Sequence, residues 1–253
     1  MAGPVKIDLN CDLGESFGRH TLGDDAEIMK LISSANIACG FHAGEPSVMA
    51  RTVSLAKQNS VAVGAHPGYP DLHGFGRRKM DLSLQEVADT ITYQLGALDA
   101  FARVSGVKLV HVKPHGALYN LASEDDVLAN AIAHAVAAYN PDLIMVGLAG
   151  SALIKAGQEV GLRVAREGFP DRAYLPDGNL MPRSQPGAVL HEPDAVASNA
   201  IRLVREGLKI EDKVIRMDTL CLHGDNTEAL RNAQAVRRVL EAEGVEIRSL
   251  ASL

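Results

Sequence analysis

The sequence predicts an α/β protein in which seven parallel strands form one domain over residues 1–253. Short apolar runs alternate with longer stretches of helical periodicity, the rhythm of βα units whose parallel strands are joined by right-handed crossovers. No Pro/Gly/Ser-rich linker, composition shift, internal repeat or low-complexity run divides the chain. Hydrophobic residues make up 47% and charged residues 22%, enough apolar material for a full core and a balance that excludes a disordered or fibrous chain.

In chain order the expected strands are VKIDLNC (5–11), ANIAC (35–39), VAVGA (61–65), KLVHVK (108–113), DLIMVG (142–147), LRVARE (162–167) and DTLCLH (218–223). Between the third and fourth, Leu84, Val87, Ile91, Leu95 and Leu98 recur at helical spacing. Ser83 and Glu86 open that helix as a capping box, and it ends before Gly106. After the last strand, Ala229, Ala233, Val236 and Leu240 share a helix face that stops at Gly244. The segment 168–190, GFPDRAYLPDGNLMPRSQPGAVL, is too long and too rich in turn residues for an ordinary connection. It reads as a lid or substrate-facing loop.

Charge and composition narrow the function. A formal net charge of −6 offers no basic stripe for nucleic acid, so small-molecule chemistry is expected. The opening MAGPVKIDLNCD has no basic segment leading into an apolar one, and LIMVGLAGSALI is too short and glycine-broken to span a bilayer. A soluble cytoplasmic protein is the expectation. Cys11, Cys39 and Cys221 have no metal-site spacing and read as small buried hydrophobes. Cys221 shares strand parity with His223 and Asp225.

The polar residues on these strands fall into a pattern. Side chains alternate along a strand, so Asp8, Asn10 and Asp12 share one face of the first strand, and His111, Lys113 and His115 share one face of LVHVKPH. His42, His66 with Asp71, and His223 with Asp225 follow other strands. In a parallel α/β sheet these ends lie on one C-terminal edge, where ligands bind. A lone strand-end histidine is more often structural, but polar groups at five strand ends are hard to explain by core packing. Asp8 lies deeper and is expected to pair with Lys113 or Lys6.

Six segments, DLNCDLGE, SANIACGFHAGEP, GAHPGYPDLHGFGRR, VKPHGALYN, EGFPDRAYLPDGNLMPR and CLHGDN, resemble in order and spacing the LamB/YcsF family of lactam-utilisation proteins. The likeness runs from about residue 6 to about residue 250. It implies a seven-stranded parallel β/α barrel of the glycoside hydrolase/deacetylase superfamily. It also implies ATP-dependent cleavage of the cyclic amide 5-oxo-L-proline (pyroglutamate) to L-glutamate, with ATP as co-substrate, its magnesium, and 5-oxoprolinase subunits B and C as partners. No G-x-x-x-x-G-K-[ST] stretch is present, so nucleotide handling belongs partly or wholly to those partners.

For such a reaction Asp12 is expected to act as base or water-orienting group and His66 or His115 as acid. Lys113, Arg77 and Arg183 are expected to hold a carboxylate, phosphoryl group or developing oxyanion, Lys113 having an internal ion pair as its alternative role. Arg77 and Arg78 could equally form surface ion pairs. Asn10, His42, Arg172, Tyr174, His223 and Asp225 complete the expected substrate-binding set, with Asp171, Arg172 and Tyr174 over the mouth of the cavity. Related deacetylases imply a catalytic metal on Asp12, His42 and His66; the spacing leaves that requirement open. Two other readings stand beside this one: an ATP-independent, metal-dependent deacetylase or amidase, and a non-catalytic lactam-binding subunit.

Overall fold

The computed structural model describes residues 4–222 and 227–253, which form ten strands. In chain order they are β1 (Lys6–Leu13), β2 (Ser34–Ala38), β3 (Ala62–His66), β4 (Leu109–Val112), β5 (Ile144–Leu148), β6 (Arg163–Gly168), β7 (Leu208–Ile210), β8 (Lys213–Ile215), β9 (Thr219–Leu222) and β10 (Glu246–Ile247). Strands β1 to β6 and β9 pair in parallel in that order, and β9 returns to β1, which closes a seven-stranded barrel. The helices are α1 (Asp25–Ile28), α2 (Pro46–Gln58), α3 (Leu84–Val104), α4 (Gly116–Glu124), α5 (Asp126–Tyr139), α6 (Ala152–Glu159), α7 (Pro193–Glu206) and α8 (Thr227–Ala242). No helix among the described residues is long and apolar enough to cross a membrane.

Outward-facing strand residues such as Leu9, Cys11, Ile37, Val63, Val112, Met145 and Leu220 are buried with the helices in one apolar layer. The helix signals seen in sequence act where they stand. Ser83 Oγ accepts from Glu86 N–H at 3.2 Å and the Glu86 carboxylate accepts from Ser83 N–H at 2.7 Å, starting α3, while Gly106 beyond its end takes φ 70°. The antiparallel β7–β8 hairpin and β10 are additions to the expected seven strands. Three residues and two residues are too few to show a periodicity.

Strand β4 explains why LVHVK lacks a simple apolar alternation. Its register against β3 slips between Val63 and Gly64. Leu109 therefore packs in the outer layer, whereas Val110 joins a small inner cluster of Ile144, Val146, Ala165 and Leu250 at the base of the barrel. Beyond the slip, Gly64 lies opposite His111, and a Cβ on Gly64 would overlap the imidazole ring.

Above that apolar base the interior is polar. Asp8 accepts hydrogen bonds from Ser33 Oγ (2.7 Å), Ser34 Oγ (2.6 Å) and Thr219 Oγ1 (2.6 Å). Its partners are thus hydroxyls, and neither Lys6 nor Lys113 is among them; Lys113 bonds one to two strand layers higher. His111 is likewise enclosed. Its Nε2–H donates to Asn36 Oδ1 at 2.8 Å, and burial pushes the ring down to about 3, so this histidine is neutral and lies beneath the cavity rather than facing it.

Two outcomes test this interior. Burial pushes the Asp8 carboxyl from its ordinary 3.8 up to about 6. A carboxyl raised on folding adds stability that is fully present below the unfolded value and lost as pH rises through the folded one. Relative to Asp8→Asn, the wild-type protein is expected to gain about 2 kcal/mol in urea unfolding between pH 7 and pH 4. A flat difference across that range would show that Asp8 stays ionised. Gly64→Ala is expected to cost about 3 kcal/mol or more through overpacking against His111. The same change in a His111→Ala background should cost much less.

Candidate active site

The C-terminal ends of the strands carry the polar interior up to a cavity of about 210 Å³ bordered by Asp12, His66, Lys113, His115, Arg77 and Arg183, among others. Asp12 ends the inward-facing series of β1, and Asn36 of β2 stands beside it in register. Asp12 Oδ1 accepts from Asn36 Nδ2 at 2.8 Å and from Lys113 Nζ at 3.0 Å. The second oxygen, Oδ2, lies 3.3 Å from His66 Nε2. Burial alone would raise the Asp12 carboxyl, but positive charge on its His66 side and on the Lys113 ammonium more than offsets it and holds the group well below the usual carboxylate range.

Lys113 is almost wholly buried, and its hydrogens are spent inside the protein. Nζ lies 2.9 Å from Glu167 Oε1, 3.0 Å from Asp12 Oδ1 and 3.1 Å from Cys221 Sγ. Burial would strip its proton, yet the Asp12 and Glu167 carboxylates beside it push its pKa well above the usual lysine value. Its geometry is that of an internal counterion for two carboxylates, the second of the two roles open to it from sequence. Cys221 is a neutral thiol here, since burial pushes it well above the usual range.

Glu167 and Tyr119 were not singled out in the sequence. The Glu167 carboxylate accepts from Asn10 Nδ2 (2.9 Å) and Tyr119 O–H (2.7 Å) as well as Lys113. The parity of ARE in β6, which turns Ala165 and Glu167 inward, was the available signal. Asn10 itself is committed within the barrel: Nδ2 also donates to Thr219 Oγ1 at 2.7 Å, and Oδ1 accepts from Asn36 at 2.7 Å. It supports the floor of the cavity rather than presenting an amide to it.

Beside Asp12 stands a group of three histidines. His66 Nδ1 bonds Lys113 O at 2.7 Å, His115 Nε2 bonds Phe75 O at 2.8 Å, and His66 Nε2 lies 2.9 Å from His115 Nδ1. His42 stacks on His115 with ring centroids 3.7 Å apart, and its Nε2 lies 3.3 Å from Glu15 Oε1. Burial pushes His115 down to about 2 and His42 well below the usual range. The backbone is shaped to admit these rings. Gly76 takes φ 61°, and a Cβ there would press on His42 Cβ at 2.7 Å and His115 Cδ2 at 2.9 Å. Phe75 adopts φ 55°, uncommon for a side chain of that size, and in doing so presents its carbonyl to His115. Buried Gln94 of α3 brackets the neighbouring loop, accepting from Gly68 N–H and donating to Gly68 O, each at 2.9 Å.

The remaining expected residues separate. Arg77 borders the cavity and lies over the Phe75 ring at 5.1 Å, whereas Arg78 turns away to pair with Asp71. From the 168–190 segment, Phe169, Arg172, Leu180 and Arg183 reach the cavity. Arg172 also ties that segment together, donating from Nε to Ala188 O (3.2 Å) and from Nη2 to Met181 O. Tyr174 does not reach the cavity; its hydroxyl accepts from Phe169 N–H at 2.6 Å and its ring borders a separate hollow behind the loop. His42 is screened by the other two rings. His223 and Asp225 lie outside the described residues.

The metal trio implied by the deacetylases is not assembled as expected. Among the described residues, the donor atoms that cluster, all within 4.8 Å of one another, belong to Glu15, His42, His66 and His115. Asp12 is beside this group through His66, with one oxygen held by Lys113 and Asn36. Glu15, three residues past Asp12 across a glycine turn, is the ligand type that strand parity could not reveal. The chemistry of the set, imidazole nitrogens and a carboxylate, fits a first-row divalent ion.

Known proteins place this geometry. The chain is 53% identical over 247 residues to the A subunit of 5-oxoprolinase from Syntrophobacter fumaroxidans, covering 96% of this chain and 98% of that one. It is 51% identical over 249 residues to the protein of the same name from Bacillus subtilis, with 97% of each covered. The crystal structure of a lactam utilization protein from Thermus thermophilus superposes with a TM-score of 0.91 at 50% identity, covering 97% of this chain and all (100%) of that one. A peptidoglycan deacetylase from Bacillus subtilis shares the fold at a TM-score of 0.51 and 10% identity, over 98% of this chain and 89% of that one. The LamB/YcsF family profile matches residues 7–253, and the chain belongs to that family.

Proposed function

We propose that this protein is the A subunit of a 5-oxoprolinase, opening 5-oxo-L-proline to L-glutamate at the expense of ATP together with subunits B and C. The observation that carries the reading is full-length relatedness to proteins of that name, with an ionised carboxylate on the wall of a small cationic cavity. A lactam amide is a poor electrophile. Transfer of a phosphoryl group from ATP to its oxygen makes the ring carbon open to water. Asp12 Oδ2, with its other oxygen pinned and its charge maintained by Lys113, is the base for that water. As the ring C–N bond breaks, the departing nitrogen takes the proton Asp12 has accepted. A second water then releases phosphate from the acyl phosphate. Arg77 and Arg183 suit the substrate carboxylate or the phosphoryl oxygens. A divalent ion on the histidine cluster would supply Lewis acidity beside this carboxylate. Phosphoryl donation is assigned to the partner subunits.

The direct test is incubation of the purified chain with 5-oxoproline and ATP, with and without its co-purifying partners. Glutamate is expected only when ATP and the partners are present. Turnover by the chain alone without ATP would instead identify a simple amidase. Asp12→Asn is expected to lower turnover on the order of a thousandfold with the fold intact; unchanged turnover would leave this chain only a capture role. Lys113→Met should destabilise the protein by about 3 to 5 kcal/mol in urea unfolding, since it strands Asp12 and Glu167 as buried charges. A stability loss under 1 kcal/mol would refute the counterion role.

A further inference from the structure

His66 and His115 face each other through two nitrogens that are both left without a hydrogen when the rings are neutral. Lys113 O and Phe75 O, as carbonyls, only accept, so His66 Nδ1 and His115 Nε2 each carry the hydrogen. A neutral imidazole has one N–H. His66 Nε2 and His115 Nδ1 are therefore lone pairs, and they stand 2.9 Å apart. Two acceptors hold that distance only around a positive centre, either a proton added to one ring or a metal ion bound by both.

The surroundings favour the ion. Glu15 Oε1 lies 3.5 Å from His115 Nδ1 and 3.3 Å from His42 Nε2, so a carboxylate and a third imidazole converge on the same point. Asp12 Oδ2 adds a second negative group 3.3 Å from His66 Nε2. The nearby ammonium of Lys113 is already shared by Asp12 Oδ1 and Glu167. Each of the two rings has its outer nitrogen clamped by a backbone carbonyl, the arrangement that fixes the tautomer and aim of a metal-bound histidine. For His115 that clamp is secured by left-handed backbone at Phe75, a conformation retained despite its strain.

We propose that Glu15, His66 and His115, with His42 alongside, bind a divalent first-row transition-metal ion such as zinc at the mouth of the barrel. The carboxylate ligand is then Glu15, and Asp12 remains outside the ligand set as an acid–base group. The assignment concerns the ion and stands whether or not the lactam is the substrate.

The test uses the full chain, stripped with a chelator and titrated with zinc or cobalt(II) alone. One equivalent is expected to bind by calorimetry, with cobalt d–d absorption of a nitrogen/oxygen site and an upward shift of the melting temperature. Glu15→Gln should weaken binding by well over a hundredfold, whereas Asp12→Asn, which removes a neighbouring charge but no ligand, should weaken it by about ten- to a hundredfold at most. Loss of binding in Asp12→Asn with retention in Glu15→Gln would overturn the ligand assignment in favour of the deacetylase-like trio. No stoichiometric binding by the wild-type protein would overturn the site altogether and leave a shared proton between the rings. Should Glu15→Gln fail to fold, imidazole nitrogen-15 shifts of the wild-type protein decide the matter: zinc must move His66 Nε2 and His115 Nδ1 and leave Nδ1 of His66 protonated.

Discussion

One ammonium between two carboxylates governs the inside of this barrel. A parallel β/α barrel of this kind is ordinarily filled with layers of branched apolar side chains. Here only the base is apolar, and each layer above it consists of polar groups that survive burial because each bonds the next. Lys113 is the member with no substitute. It balances Asp12 and Glu167 at 3.0 and 2.9 Å, and those carboxylates in turn orient Asn10, Asn36 and Tyr119. The strength of such a network lies less in the net energy of any pair than in the cost of leaving one partner unpaired.

The network also divides labour between the barrel and its rim. Strand side chains supply Asp12 and His66, and Lys113, the internal counterion, follows directly on β4, all in a rigid frame. Loops supply Glu15, His42, His115, Arg77 and Arg183, and they are held by backbone devices: a left-handed phenylalanine, the Gly76 turn and the Gln94 bracket. Functional groups on loops are usual, but precision requires that the loops be tied down. This rim achieves that by giving backbone carbonyls to imidazole N–H groups.

Much of the scaffold was legible in the sequence because it rests on periodicities of two and 3.6. The seven barrel strands, the α3 capping box and the inward parity of Asp8, Asn10 and Asp12 all follow from local pattern. What was not legible depends on relations across the chain. Whether Lys113 meets a ligand or a carboxylate is decided by Glu167, which sits on another strand. His111 shares its parity with Lys113 yet is enclosed, because Gly64 and Asn36 take its ring. The role of Glu15 depends on a turn at Gly14 that redirects the chain after β1. Tyr174, grouped with Arg172 from the loop composition, turns its hydroxyl to the Phe169 N–H instead of to the cavity.

Closure of the barrel has a kinetic side. Asp8 and Thr219, hydrogen-bonded at 2.6 Å, are 211 residues apart in sequence, and every interior layer spans β1 and strands far downstream. During synthesis β1 emerges with Asp8, Asn10 and Asp12 on a face whose partners do not yet exist. That face is hydrophilic and keeps its hydration while it waits, whereas the opposite face, with Ile7, Leu9 and Cys11, is the apolar one that the helices must cover. Desolvation of those charges is deferred until β9 arrives and the ring closes, which makes the polar interior a late, cooperative step in folding rather than a nucleus for it.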